Sequence, residues 1–471
     1  MHVLVDAQLI PPGPDPTTRG SGSLSSMDAR TINPGETARF EAVAEITTDM
    51  PAVVAPDRKL LVMKFGGSSV ADPAKLKRIA QRAVAAREAG NDVVVVASAM
   101  GKSTDQLLSL AREVSETPNE REMDMLLSTG ERISCALIAM AINDLGHEAV
   151  SLTGSQAGIV TTGEHTNAKI LEVRGHRIRA AVDAGKIALV AGFQGVSTEQ
   201  NVTTLGRGGS DLTAVAIAAA LGAHACEIYT DVDGVFTADP RVAPDARKLH
   251  FVSFEEMLEM AASGARVLML RSVEFARNHG VRLHVRSSFH DEPGTWIGEA
   301  DERMEHAIIS GVTHDATQAR ITVSDVPDQP GSAAKIFGGC AELGVNVDMI
   351  LQTPSVNGVT DVAFTVPEVD VSRIGAVLDR ISSEVGAHGW RSDVSVGIVS
   401  LIGAGMKTHP GIAARMFASL ADDGINMQMI STSPIKISCV IPSEQVETAV
   451  RCLHDAFELA TAADLRDHEE R

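Results

Sequence analysis

Lys64-Phe65-Gly66-Gly67-Ser68-Ser69 follows the apolar run Leu60 to Met63 and joins a cation to two glycines. Glycines let backbone amides approach a phosphate with no Cβ in the way, and the lysine adds a point charge. A strand-to-helix turn that needs two glycines reads the same way. It is not the Walker loop GxxxxGK[ST], because the lysine precedes the glycines. Gly206-Arg207-Gly208-Gly209-Ser210-Asp211 stands just before the helical stretch Leu212 to Leu221. Amides and dipole at a helix start hold an anion, and an arginine grips a carboxylate through two parallel hydrogen bonds. The plainer reading, a glycine loop capped by Ser210 or Asp211, does not need Arg207. In Tyr229 to Arg241, Asp231-Val232-Asp233-Gly234 suggests a calcium loop. It lacks the third oxygen ligand and the glutamate at position twelve, so calcium is rejected. Glu131, in Ser128-Thr129-Gly130-Glu131-Arg132, reads alone as an acid partnering a helix dipole.

These segments need strands that end together. Asp72 and Pro73 open a helix with apolar residues at Leu76, Ile79, Ala83 and Val84, closed by Gly90. The strand Val93 to Ala97 is wholly apolar. A helix runs from about Glu131 to Leu145, with strands at Ala149 to Thr153 and Ile187 to Phe193, a helix from Asp211 to Leu221, and a strand from Cys226 to Thr230. Short apolar strands separated by helices indicate a parallel sheet covered on both faces, an α/β domain reaching about Phe289. Ligands of such sheets bind at the C-terminal ends of the strands, where the three glycine-rich segments fall.

The last third repeats itself. Pro330-Gly331, Gly344, Asn346 and Ile350 recur 80 residues on as Pro410-Gly411, Gly424, Asn426 and Ile430. Each copy reads as strand, helix opened by Pro-Gly, glycine stop, and a strand beginning at the asparagine, which suits two βαββαβ modules. Before the first domain, residues 1 to about 57 hold proline and glycine clusters with little apolar periodicity and are expected to be disordered.

Composition narrows the function. The 471 residues carry 41 Lys plus Arg against 61 Asp plus Glu, a formal charge of −20. That balance gives no footprint for nucleic acid and disfavours an anionic membrane surface. The apolar runs are far shorter than the about 20 residues a span requires. The five scattered cysteines contain no CxxC pair and fit a reducing compartment, and residues 1–58 have neither signal-peptide nor transit-peptide character, so a cytoplasmic protein is expected.

Taken together, Lys-Phe-Gly-Gly-Ser-Ser at 64–69, Ser-Thr-Gly-Glu-Arg at 128–132, Gly-Phe-Gln-Gly at 192–195, Thr-Leu-Gly-Arg-Gly-Gly-Ser-Asp at 204–211 and Tyr-Thr-Asp-Val-Asp-Gly-Val at 229–235 resemble the amino-acid kinase family. Within it they are most similar to the aspartokinases, over about residues 60–460. The two repeats look like ACT domains. The resemblance implies a three-layer αβα kinase domain at 59–300, with a mostly parallel sheet, then ferredoxin-like ACT domains at 301–390 and 391–471. It implies transfer of the ATP γ-phosphoryl to the β-carboxylate of L-aspartate, the entry to lysine, threonine, methionine and diaminopimelate synthesis, with Mg²⁺ as cofactor and no protein-built metal site.

By that resemblance Lys64 contacts the transferring phosphoryl group, the amides of Gly66 and Gly67 cradle it, and Asp211 orients Lys64. Glu131 takes the substrate ammonium. Arg207 with Ser210, beside Gly208 and Gly209, takes its carboxylates, and Ser103 and Thr104 border it. Phe65, Ser98, Thr230, Asp231, Phe236, Asp239, Arg241 and Arg266 line the nucleotide. Asp328, Ala333, Asn346, Val347, Asp348, Gln352, Ile412 and Asn426 match effector contacts, for threonine, lysine or both. A strand asparagine satisfying turn backbone is the plainer reading of the last group. ACT pairing between chains implies a homo-oligomer. An ionised carboxylate is already a nucleophile, so this chemistry needs Lys, Arg, amides and Mg²⁺ rather than a base.

Three features depart from the family. Arg266 replaces a lysine usually placed near the nucleotide, in the helix before Leu268; Lys102 stands where relatives often carry an acid; and residues before 59 have no counterpart. The competing readings are a kinase for glutamate, acetylglutamate or carbamate, and a catalytically silent amino-acid sensor. A fused homoserine dehydrogenase is set aside because Gly403-Ala404-Gly405 lacks the third glycine of GxGxxG.

Overall fold

Apolar strands without polar alternation must be covered on both faces, and the computed structural model bears this out. It describes residues 58–300 and 308–461, all within one unit. The expected disordered extension falls outside the described residues except for Arg58, and so does the stretch 301–307 at the expected domain junction.

Eight strands form the main sheet, in the order Phe251–Ser253, Thr295–Gly298, Leu283–Ser287, Ala225–Thr230, Leu60–Phe65, Asp92–Ala97, Ile187–Ala191 and Ala149–Leu152. All neighbours are parallel except Leu283–Ser287 with Thr295–Gly298. Side chains alternate between two cores. Val62, Val94, Val96 and Ile228 share one with Leu212, Val215 and Ile217 of the helix Gly209–Leu221. Met63, Phe65, Val93, Val95 and Ala97 share the other with Ile79 and Ala83 of Pro73–Glu88 and Cys135, Ile138 and Ile142 of Thr129–Asp144. Three layers follow directly from that alternation. A smaller sheet, Ile170–Val173, Ile159–Thr161, Gln194–Ser197 and Val202–Thr204, flanks the domain and was not foreseen.

Among the described residues, one helical stretch, Glu120–Asp144, is long and apolar enough to cross a membrane by length and composition; half of its most apolar window is buried against the rest of the chain. It carries Glu131, which is buried there.

The remaining strands form one antiparallel sheet in the order Ile350–Gln352, Val359–Pro367, Gly311–Pro327, Gly389–Ile402, Lys436–Pro442 and Met429–Ser433. Two of its strands are long and serve both repeats. Val312, near the start of Gly311–Pro327, joins the core of the second repeat with Leu401, Leu420 and Leu453, whereas Ala319, Ile321 and Val323 further along join the first with Ile336, Phe364 and Leu378. The strands expected to begin at Asn346 and Asn426 begin later, at Ile350 and Met429. Val345 and Met349 are buried before the first of these ladders starts, and both asparagines are exposed.

Candidate active site

Four adjacent strands, Ala225–Thr230, Leu60–Phe65, Asp92–Ala97 and Ile187–Ala191, end on one side of the main sheet. Their loops touch one another in sequence. The Ser98 amide donates to the Phe65 carbonyl (3.1 Å), Gly66 to Tyr229 (3.2 Å), Gly101 to Gly67 (3.0 Å) and Gly192 to Ala97 (3.1 Å). Two approaches exclude side chains. A Cβ on Gly130 would lie 2.7 Å from the Ala99 Cβ, and one on Gly192 would lie 2.8 Å from the Ser210 Oγ.

Gly209–Leu221 begins behind Gly208, held at φ 74° with no side-chain cap. That conformation suits glycine. It leaves Ser210 and Asp211 uncommitted to capping, in contrast to Asp72, whose carboxylate accepts the Lys75 amide at 3.0 Å as expected. Asp211 uses its freedom to pair with Lys64, Oδ1 to Nζ 2.5 Å, both side chains one-tenth exposed. The pair fixes a cation at the mouth of the glycine turn; a Cβ on Gly66 would sit 3.4 Å from that Nζ. Arg207 is exposed and, among the described residues, makes no ion pair or hydrogen bond.

Glu131 stands in the first turn of Thr129–Asp144, only 3 % exposed. Its Oε1 accepts the Ala99 amide at 3.2 Å, while Oε2 is buried and unpartnered among the described residues. Burial pushes its carboxyl up from an ordinary 4.5 to about 7, against the lowering effect of backbone hydrogen bonds and Arg132. Arg132 cannot neutralise it fully, because its guanidinium donates to Gln194 Oε1 (3.2 Å) and Ser128 Oγ (3.1 Å). An unpartnered buried carboxylate oxygen can take up an ammonium, and an exposed arginine without an ion pair can take up a carboxylate.

The other expected residues divide. Ser103 and Thr104 open the helix Ser103–Val114 behind Lys102, which is exposed. Thr230 and Asp231 lie at the strand end, Oγ1 to Oδ1 3.1 Å. Asp239 pairs with Arg241 (2.7 Å), and that partnership holds its carboxyl below the usual range. Phe65 turns its ring away, stacked on Tyr229 at 4.7 Å in the core, so its backbone alone faces the loops. Arg266 lies in the turn after Phe254–Ala262 rather than in a helix. Burial raises the nearby Asp315 carboxyl, but hydrogen bonds from Thr317 and Gln318, with a smaller contribution from the Arg266 charge, keep it low. Among the described residues, no three His, Cys, Asp or Glu side chains cluster as a metal cage.

Two positioning groups went unread in the sequence. Asp124 is fully buried and accepts from His165 Nδ1 (2.7 Å), the Thr166 amide (3.1 Å) and Thr204 Oγ1 (2.5 Å), tying the 162–168 loop to the strand that leads into Gly206-Arg207. Arg271 donates to the carbonyls of Leu205 (2.9 Å) and Ala168 (2.8 Å), bracing the same loop. The only signal for Asp124 was an acid three residues before Leu127, on the face the helix buries.

In the first of the two C-terminal repeats a cavity of about 330 Å³ is lined by Asp328, Pro330, Gly331, Ala333, Gln352 and Thr360, at the start of the helix Ser332–Glu342. Three expected effector residues, Asp328, Ala333 and Gln352, meet there. Val347 instead packs against the core of that repeat, Asn346 and Asp348 are exposed outside the lining, and Ile412 and Asn426 belong to the second repeat.

The chain is similar to known proteins over most of its length. The amino acid kinase family matches residues 59–287, and ACT domains match 319–386 and 399–457. The aspartokinase of Mycolicibacterium smegmatis is 57 % identical over 405 residues, covering 85 % of this chain and 96 % of its own. That of Corynebacterium glutamicum is 52 % identical with the same coverage. Aspartokinase III of E. coli, solved with aspartate and ADP, superposes with a TM-score of 0.71 at 25 % identity, over 84 % of this chain and 99 % of its own.

Proposed function

The chain belongs to the amino acid kinase family and, within it, to the aspartokinases, and from that premise we propose how its residues work and how it is governed. It is an ATP-dependent kinase acting on a carboxylate, that of L-aspartate. An oxygen of the substrate β-carboxylate attacks the γ-phosphorus of ATP, the bond to the β-phosphate oxygen breaks, and ADP leaves with 4-phospho-L-aspartate as product.

The observation that carries the residue assignment is the unpartnered Glu131 Oε2 in the loop cluster that also holds the Lys64–Asp211 pair. Glu131 holds the substrate ammonium, Arg207 and Ser210 its carboxylates, and Ser103 and Thr104 its border. Lys64, oriented by Asp211, offsets charge on the transferring phosphoryl group beside the amides of Gly66 and Gly67. Ser98, Thr230, Asp231, Phe236, Asp239, Arg241 and Arg266 line the nucleotide. Catalysis is then positioning and charge compensation, since both reactants are anions. Mg²⁺ would be carried mainly by the nucleotide phosphates and would supply further compensation.

We divide the chain into a kinase domain at 59–300 and ACT domains at 301–390 and 391–471. The reaction opens lysine, threonine and methionine synthesis, and threonine, lysine or both inhibit it through the first ACT domain. The cavity supports this: Asp328 suits an ammonium and the helix start at Ser332 a carboxylate. Exposed edge strands, Ile350–Gln352 with Ile350 55 % exposed and Met429–Ser433 with Ile430 44 % exposed, support assembly into a homo-oligomer. Five free cysteines support a cytoplasmic location. The test is ADP release from ATP and Mg²⁺ with L-aspartate, against L-glutamate and N-acetyl-L-glutamate, repeated with threonine and lysine. Turnover with aspartate alone, suppressed by either amino acid, is expected. No aspartate-dependent turnover refutes the catalytic reading, and indifference to both amino acids refutes the regulatory one.

A further inference from the structure

The segment that carries Phe236, Asp239 and Arg241 is built on both sides. Phe236, Asp239 and Arg241 stay accessible, whereas Thr237, Ala238, Val242 and Ala243 are buried. What buries them is the second regulatory repeat. Ala238, Val242 and Ala243 share one core with Val312, Leu401, Met416, Leu420, Leu453 and Phe457. The Val312 amide donates to the Thr237 carbonyl at 2.7 Å, and the approach is close enough that a Cβ on Gly311 would lie 2.7 Å from that oxygen.

At the centre of this junction Thr237, 1 % exposed, meets His454, also 1 % exposed, on the helix Val446–Ala456; Oγ1 and Nε2 are 3.0 Å apart. The Thr237 hydroxyl already accepts the Arg247 amide at 2.9 Å, so its own proton is available to a neutral imidazole. Burial lowers the proton affinity of His454, against the opposing charges of Asp455 and Asp245, which favours the neutral imidazole. A buried hydroxyl proton without an acceptor is costly, so the pair fixes where Thr237 sits and, through it, the short 236–241 segment around it.

We propose that His454 is a positioning residue for the nucleotide: the second regulatory repeat is a structural wall of the ATP site, and the Thr237–His454 contact sets the placement of Phe236, Asp239 and Arg241. The proposal rests on the assignment of that segment to ATP. It predicts a split between the two substrates, because the aspartate groups Glu131 and Arg207 stand on other elements that the junction does not touch.

The experiment measures KM for ATP and for aspartate, and Kd for ADP by calorimetry, in the full chain carrying His454→Ala, His454→Gln and, as a direct control, Arg241→Ala. His454→Ala is expected to raise KM for ATP and Kd for ADP roughly three- to tenfold, as for loss of one buried hydrogen bond, with KM for aspartate within about twofold. Glutamine, which can still accept from Thr237, is expected to restore most of the loss. Should His454→Ala fail to fold, the near-isosteric Thr237→Val, which also removes the acceptor of the Arg247 amide, carries the comparison of ATP against aspartate. If Arg241→Ala weakens ATP and the junction variants do not, or if they weaken aspartate equally, the positioning role is overturned. If Arg241→Ala also leaves ATP unaffected, the assignment of the segment to the nucleotide falls with it.

Discussion

Replacing Glu131 by glutamine sets stability against function in a way the site makes quantitative. The wild-type carboxyl is buried with one oxygen unpartnered, and burial moves its pKa from 4.5 to about 7. The folded chain therefore binds this proton more tightly than the unfolded chain does. The resulting stabilisation is complete below about pH 4.5 and is lost as pH rises through about 7. At pH 8 the ionised group costs the native state about 3 kcal/mol, at 1.36 kcal/mol per pH unit, taken as a ceiling because the protein relaxes around it. Glutamine keeps the shape without the charge. Glu131→Gln is expected to be more stable than wild type at pH 8, by up to about that amount, with the difference shrinking to about 1 kcal/mol or less at pH 5. The same change removes a charge-assisted bond to the substrate ammonium, worth about 1.5–3 kcal/mol, so KM for aspartate should rise roughly ten- to hundredfold while KM for ATP holds. Urea unfolding at pH 5 and pH 8, paired with coupled ADP release, measures both. A variant less stable than wild type at pH 8, or one with unchanged KM for aspartate, would refute the reasoning.

Lys64→Met should lower kcat about 10²- to 10³-fold at saturating substrates, and Asp211→Asn added to it should recover part of the stability lost by stranding a buried carboxylate without recovering activity; thermal unfolding and single-point turnover separate the two. Gly192→Ala should raise KM for aspartate by up to about a hundredfold and KM for ATP far less, because the added methyl meets Ser210 and displaces the start of its helix; steady-state kinetics with each substrate varied checks this. Asp328→Ala should raise the threonine or lysine concentration that halves activity at least tenfold, read from inhibition curves, because the cavity then lacks a carboxylate for the effector ammonium.

Part of the candidate site is legible as local motifs, because the residues of each are close in sequence. Lys64 with Gly66 and Gly67, and Arg207 with Ser210 and Asp211, lie within single strand–loop–helix connections, where spacing alone carries the chemistry. The apolar run Val93 to Ala97 likewise reads as a strand buried on both faces, and both of its faces are packed. Phe65 shows the limit of such reading: its backbone belongs to the loops but its ring to the core, a distinction set by which face of the sheet an odd-numbered position takes.

Sequence alone determined the repeat of 80 residues, the parallel sheet and the glycine loops, because each depends on hydrophobic period or turn chemistry over short separations. Only the tertiary structure decided that Asp124 ties three separate segments and that one long strand feeds the cores of both repeats. It alone decided, too, that Thr237 is held by His454 from the far end of the chain. These contacts join residues remote in sequence, whose proximity depends on how layers pack, and an acid or histidine on a buried helix face carries no mark in sequence of the partner it will meet.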